Sequence, residues 1–249
     1  MILLVSGRIS VPETIMLLYL KRLFMLYLVD TANLDAIRHC CKFYPVSGVT
    51  TNPTIIAKEN TDFKQLICGI REIIGPKRAL HIQTTAEKAE DILAEATMLK
   101  SLVGGQFYIK IPITAEGLRA AALCKENDIG VTMTAIFTQQ QALIAAVAGA
   151  DFVAPYINRL DNIVSDGVNV VAEITEIFKI YNLHTKVLAA SFKTVEQVHK
   201  CALVGTNAIT INPDLFEQLI FHPLTDTAIE SFLTDWEKVY GEKKVADLC

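Results

Sequence analysis

From Leu26 onward the chain alternates between two kinds of segment. Short runs of Val, Ile, Leu and aromatic residues are followed by longer stretches in which apolar residues recur at helical spacing. The short runs read as strands at Leu26–Asp30, Gly48–Thr50, Ala79–Gln83, Phe107–Ile111, Gly130–Thr134, Asp151–Pro155, Lys186–Ser191 and Asn207–Asn212. Helices are predicted over Leu34–Lys42, from Pro53 onward, over Glu87–Ser101, from Thr114 through Leu118, and over Gln139–Ala148. A loop over Asn158–Gly167 leads to a helix ending near Tyr181, and another helix follows over Val195–Leu203. Pro213–Phe221 and Asp226–Tyr240 close the chain as helices. The stretch from Glu87 to Ser101 shows the pattern well, with Ile92, Leu93, Ala96 and Leu99 on one side and charges on the other. Asn52 followed by Pro53 is a favoured cap and first-turn pair.

Alternating strand–helix units imply a parallel sheet, and eight of them predict a closed (β/α)8 TIM barrel of α/β class. An open doubly wound sheet is the alternative, but it usually carries a glycine-rich first turn, which this chain lacks. No linker composition interrupts residues 25–249, so they are expected to form one domain with a helical C-terminal arm. Residues 1–24 stand apart as an N-terminal extension. Their apolar stretches Met1–Val5 and Ile15–Leu20 are too short to span a bilayer and are interrupted by Arg8, Pro12 and Glu13. They also lack the positive start and small-residue cleavage site of a secretory signal. An added helix, an oligomer contact and an upstream start ahead of Met25 are the readings left open.

Composition narrows the chemistry. Among 249 residues, 51% are hydrophobic and the formal net charge is −4, with no basic cluster of a nucleic-acid footprint. No membrane partner is expected, because no run reaches transmembrane length. The cysteines (Cys40, Cys41, Cys68, Cys124, Cys201 and Cys249) form no C-x-x-C pair and read as reduced thiols of a cytoplasmic protein. The histidines make no H-x-H or H-E-x-x-H pattern, so no metal site is expected from spacing. His81, inside a predicted strand, reads as a core imidazole.

Lys110 is the exception to the apolar pattern. It sits within Phe107-Tyr-Ile-Lys-Ile-Pro112, a run otherwise suited to a buried strand. Burial disfavours the charged form of a lysine and frees a neutral amine to attack a carbonyl. The plain alternative is a lysine that snorkels at a strand end or pairs with a carboxylate.

In a TIM barrel the active site lies at the C-terminal strand ends. The residues there are polar: Asp30, Thr50, Thr51 and Asn52, Gln83, Lys110, Thr134, Tyr156 and Arg159, Ser191 and Lys193, and Asn212. Singly, Asn52 could be only a cap, Thr134 only a β-branched filler and Ser191 only a turn residue. Together an acid, an amine, a phenol and amides at one mouth suit carbonyl chemistry. Lys110 could form a protonated imine with a ketone, and Asp30 could shuttle protons. Tyr156, Gln83 and Thr134 could hold a water or donate hydrogen bonds. Arg159, Ser191 and Lys193 make an anion pocket late in the barrel, where phosphate commonly binds in this fold.

Several segments carry a family resemblance: Leu28-Val-Asp-Thr-Ala32, Gly48-Val-Thr-Thr-Asn-Pro-Thr-Ile-Ile56, Tyr108-Ile-Lys-Ile-Pro-Ile-Thr-Ala-Glu-Gly-Leu118, Ala154-Pro-Tyr-Ile-Asn-Arg159 and Val187-Leu-Ala-Ala-Ser-Phe-Lys193. From Met25 to about Gly241 the chain resembles the transaldolase family, and within it the fructose-6-phosphate aldolase subgroup. The resemblance implies a class I aldolase barrel with Lys110 as the imine-forming lysine and no cofactor. It implies that Asp30 and Asn52 contact a dihydroxyacetone unit, and that Arg159, Ser191 and Lys193 surround a sugar phosphate. Gln83 and Tyr156 match the aldolase subgroup, where longer transaldolases carry glutamate and phenylalanine. Thr132, also expected in the substrate pocket, departs from the leucine or asparagine usual there. The resemblance implies cleavage or formation of the C3–C4 bond of fructose 6-phosphate. The alternative is transfer of dihydroxyacetone between sugar phosphates, as in the pentose phosphate pathway. It further implies a homo-oligomer, pentamer or decamer, built through the C-terminal arm. A metal-dependent aldolase and a non-catalytic scaffold barrel are the rival classes.

Overall fold

A computed structural model describes residues 25–249. The extension read from residues 1–24 lies outside the described residues. Eight parallel strands close into a barrel in chain order, with the last paired to the first. They are β1 (Leu26–Asp30), β2 (Val46–Thr50), β3 (Ala79–Gln83), β4 (Phe107–Pro112), β5 (Gly130–Ile136), β6 (Phe152–Pro155), β7 (Lys186–Ala189) and β8 (Ala208–Ile211).

Strand alternation divides the side chains between two environments. Val29, Val49, Leu80, Ile82, Ile109, Ile111, Val131, Met133, Val153, Val187, Ile209 and Ile211 belong to the large core shared with the helices. Leu28, Phe152, Leu188 and Ala208, with Leu26 and Tyr108 against them, form a second apolar cluster that floors the barrel. Lys110 alternates with Ile109 and Ile111, so it falls on the inward set with Tyr108. The floor is tight at Gly130, where a Cβ would lie 2.6 Å from the Tyr108 ring and 2.8 Å from the Phe107 carbonyl oxygen. Glycine is what lets Tyr108 lie across β5.

Capping explains where the helices begin. Side chains of Asn33, Asn52, Asp62, Thr114, Thr138, Asp166, Thr194 and Asn212 each accept a backbone N–H of the first turn they precede. Thr138 with Gln141 and Thr194 with Gln197 make reciprocal capping boxes.

Several boundaries differ from the sequence expectation. The single helix expected after Asn52 is two, Pro53–Lys58 and Phe63–Ile74. Asn60 at φ +46° and the Asp62 cap separate them. The expected loop Asn158–Gly167 contains a short helix, Ile157–Asp161. The seventh strand stops at Ala189, because Ser191 turns to φ +65° and only an isolated bridge joins Ala190 to Tyr156. The helix expected from Glu87 begins at Ala89 and runs to Val103. The last helix starts at Pro223 rather than Asp226, with His222 as its cap. None of its residues to Tyr240 is buried.

Candidate active site

At the C-terminal end of the barrel, cross-strand register sets each polar side chain beside the next. Lys110 on β4 is level with Gln83 on β3 and Thr132 on β5, and Pro112 is level with Thr134. Neighbouring strands lie about 4.8 Å apart, so Lys110 is flanked closely on both sides. Its side chain is buried, 6% exposed. Its amine donates to the Thr51 carbonyl at 2.6 Å. Burial pushes the Lys110 ammonium below its ordinary range, and the nearby Asp30 carboxylate opposes that only in part. The result is a fixed amine biased towards its neutral, nucleophilic form.

Asp30 ends β1 and is held from the side. The Thr50 hydroxyl donates to its Oδ1 at 2.6 Å. Having given its proton to Asp30, Thr50 accepts from the Thr210 hydroxyl, also at 2.6 Å. Thr50 and Thr210 are fully or nearly fully buried. This relay fixes the carboxylate's rotamer next to the amine. Thr210 was absent from the sequence expectation, and Thr50 stood there without a role. The signal that could have found the relay is that both are threonines on strands flanking β1, Thr50 level with Asp30 and Thr210 level with Leu28.

Tyr156 follows β6 and precedes the helix Ile157–Asp161 without capping it. Its phenol pairs with the Thr134 hydroxyl at 3.0 Å. The ring packs edge-on against Phe137, and the Arg159 guanidinium lies 4.9 Å from its centroid. Gln83 is half-buried, and its Oε1 has no hydrogen-bond partner among the described residues. An orphaned carbonyl oxygen beside an amine is suited to take a water or a ligand hydroxyl.

Asn52 caps Pro53–Lys58 through its Oδ1, 2.9 Å from the Ile55 N–H. Its amide N–H groups are the part left for a ligand. Thr51 is fully buried and donates its hydroxyl to the His81 carbonyl at 3.2 Å, so its main-chain oxygen serves the site more directly than its side chain.

On the far side, Arg159 and Lys193 are exposed. The Asn158 N–H donates to the Ser191 carbonyl at 3.0 Å, and Gln197 Nε2 donates to Asp161 at 2.6 Å. These bonds tie the loop after β6 to the loop after β7 and bring Arg159, Ser191 and Lys193 to one sector.

Thr132, level with Lys110 on β5, is fully buried, and its hydroxyl bonds His81 Nδ1 at 2.8 Å. His81 is the expected core imidazole, completely buried and stacked on Tyr108. Among the described residues no three His, Cys, Asp or Glu side chains converge as metal ligands, and no helix is long and apolar enough to cross a membrane.

Comparison with known proteins identifies the family. Residues 27–246 match the family model described as Transaldolase/Fructose-6-phosphate aldolase. A "Probable transaldolase" of Symbiobacterium thermophilum is 42% identical over 214 residues, which is 86% of this chain and 97% of the relative. A "Probable fructose-6-phosphate aldolase" of Streptococcus pneumoniae is 36% identical over 222 residues, covering 89% of this chain and all of the relative. Among solved structures, a flavocytochrome b2 variant with pyruvate bound aligns at TM-score 0.57 and 12% identity, over 78% of this chain and 57% of its own. A 3,6-anhydro-D-galactonate cycloisomerase from Zobellia galactanivorans aligns at 0.53 and 12% identity, over 76% and 52%. At such identities the likeness is one of fold alone, and the chain spans little more than half of those structures.

Proposed function

The chain belongs to the transaldolase/fructose-6-phosphate aldolase family of enzymes, and from that premise we propose that it is a Schiff-base aldolase acting through Lys110 on fructose 6-phosphate. The observation that carries this reading is the buried amine of Lys110, held at 2.6 Å to the Thr51 carbonyl beside the anchored Asp30.

The neutral amine adds to the C2 ketone, and loss of water leaves a protonated imine. Asp30 takes the C4 hydroxyl proton. The C3–C4 bond then breaks, its electron pair moves into the imine as an enamine, and glyceraldehyde 3-phosphate departs. Arg159, Ser191 and Lys193 hold the phosphate, and Asn52 the dihydroxyacetone hydroxyls. Protonation of the enamine carbon and hydrolysis of the imine release dihydroxyacetone and restore Lys110.

The aldolase and transaldolase outcomes share every step to the enamine. They diverge in whether a proton or a second aldehyde captures it. The Tyr156–Thr134 pair favours the proton, because two hydroxyls bonded directly at 3.0 Å can pass one along. The test is fructose 6-phosphate without an acceptor, assayed for free dihydroxyacetone. Release is the expected result. Product that forms only once erythrose 4-phosphate is added makes the chain a transaldolase.

We also propose self-assembly through the C-terminal arm. The helix Pro223–Tyr240 buries none of its residues, yet it carries Leu224, Ile229, Phe232 and Leu233 exposed. Within the arm, Trp236 is pinned by its indole N–H to the Lys243 carbonyl at 2.6 Å. Sedimentation of the full chain should give an oligomer. A monomer at micromolar concentration would end this part of the reading.

A further inference from the structure

Beneath Lys110 lies a polar bond that the reaction above does not use. His81 on β3 and Thr132 on β5 are not neighbours, yet their side chains meet at 2.8 Å across the inner face of β4. Register places this bond between two layers. His81 is level with Tyr108, and Thr132 is level with Lys110. The bond therefore spans β4, with the Tyr108 ring below it and the Lys110 side chain above.

The imidazole is clamped. It stacks on Tyr108 with centroids 4.7 Å apart and meets Phe152 edge-on at 5.2 Å. It is completely buried, and its Nε2 has no partner among the described residues. Either tautomer leaves one buried donor single, the Nε2–H when Thr132 donates to Nδ1 or the Thr132 hydroxyl when Nδ1 donates to it. Burial, with the charge of Lys110 added, holds this imidazole neutral down to about pH 3. It is thus a fixed dipole rather than a base.

We propose that His81 carries its proton on Nδ1, donating to Thr132, and that the two are a positioning pair for Lys110, a neutral polar floor whose negative Nε2 end offsets part of the cost of positive charge on the buried amine, both as ammonium and as protonated imine. This rests on Lys110 being the imine-forming lysine. The other titratable groups facing this part of the barrel are Asp30 on β1, Tyr156 after β6, and Tyr108 one layer down on β4. Lys186 lies beyond, 5.4 Å from the Phe152 centroid. Of these Tyr108 touches the pair, through its stack on the imidazole, and Thr132 can be altered while all of them stay in place.

The variants separate positioning from folding. Thr132→Val removes the hydroxyl at constant shape, and Thr132→Ser keeps it. His81→Phe keeps the stack and loses the bond. The double variant His81→Phe/Thr132→Val replaces both partners by apolar groups, which largely restores stability.

The readout is imine trapped by borohydride with dihydroxyacetone, followed across pH with mass mapping, alongside urea unfolding of each chain. With the dipole gone, the pH midpoint of trapping should move down by about one unit in Thr132→Val, in His81→Phe and equally in the double variant. Thr132→Ser should keep the wild-type midpoint. A double variant that regains both stability and the wild-type midpoint overturns the proposal, because the pair then serves folding only. An unchanged midpoint in Thr132→Val, with label still on Lys110, overturns it as well. Wild-type label on a lysine other than Lys110 instead overturns the functional reading, and the pair's role falls with it.

Discussion

Burying a neutral histidine makes the stability of this barrel sensitive to acid in a way that one substitution can isolate. His81 would have to take up a proton in a fully enclosed site, and burial holds it back to about pH 3 against an ordinary value of 6.5. In the unfolded chain the same imidazole protonates freely. The stability that depends on this difference is complete above about pH 6.5 and is lost as the pH falls towards 3. Each pH unit in that window is worth about 1.36 kcal/mol. Between pH 6.5 and pH 4.5 the loss from His81 alone is therefore about 3 kcal/mol, a large share of the 5–15 kcal/mol typical of a folded protein. His81→Phe keeps the stack on Tyr108 and cannot titrate. It carries a pH-independent penalty of about 1–3 kcal/mol for leaving the Thr132 hydroxyl unpaired. Urea unfolding of both chains at pH 7, 5.5 and 4.5 reads the effect as a difference of differences, in which the carboxylates cancel. The variant should be the less stable chain at pH 7 and close the gap by about 3 kcal/mol at pH 4.5. A gap that stays constant across the three pH values refutes the reasoning.

Other consequences concern single contacts. Gly130→Ala places a methyl group 2.6 Å from the Tyr108 ring and 2.8 Å from the Phe107 carbonyl. It should cost about 1–3 kcal/mol by urea denaturation, and a loss below about 0.5 kcal/mol would mean the barrel floor is looser than drawn. Thr50→Val removes the donor that fixes Asp30. It should lower kcat about tenfold with KM little changed, and a change confined to KM contradicts the anchoring role. Tyr156→Phe deletes the phenol bonded to Thr134. Release of free dihydroxyacetone should fall about a hundredfold, while transfer to an added aldehyde falls much less. Equal losses in both assays would remove Tyr156 from the protonation step.

The barrel was legible because its signals are local. Strand runs, helical spacing and caps such as Asn52 each lie within a few residues, and Lys110 stood out as a charge inside an apolar strand run. The errors fall where local signals were weak. The break between Pro53–Lys58 and Phe63–Ile74 depends on Asn60 adopting a left-handed conformation, and only the Asp62 cap marks the second helix. Ile157–Asp161 is five residues long and has no side-chain cap. Ser191 bends away from β7 because its backbone, rather than its side-chain type, leaves the extended region.

The site was legible as a set of strand ends but not as a network. Lys110 finds its partner in a backbone carbonyl 59 residues away, and no side-chain pattern announces that. The Thr50–Thr210 contact and the His81–Thr132 bond join residues 160 and 51 positions apart. Thr132 was expected in the pocket from the family resemblance, and its hydroxyl bonds His81, which the shared pairing of β3 and β5 with β4 brings within reach.

The central claim is that the Lys110 amine is the nucleophile. Borohydride reduction of the full chain with dihydroxyacetone, followed by peptide mass mapping, asks this directly. The account predicts that the reduced three-carbon adduct sits on Lys110 and that Lys110→Met abolishes both the adduct and turnover of fructose 6-phosphate. An adduct on another lysine, or full turnover in Lys110→Met, would contradict it.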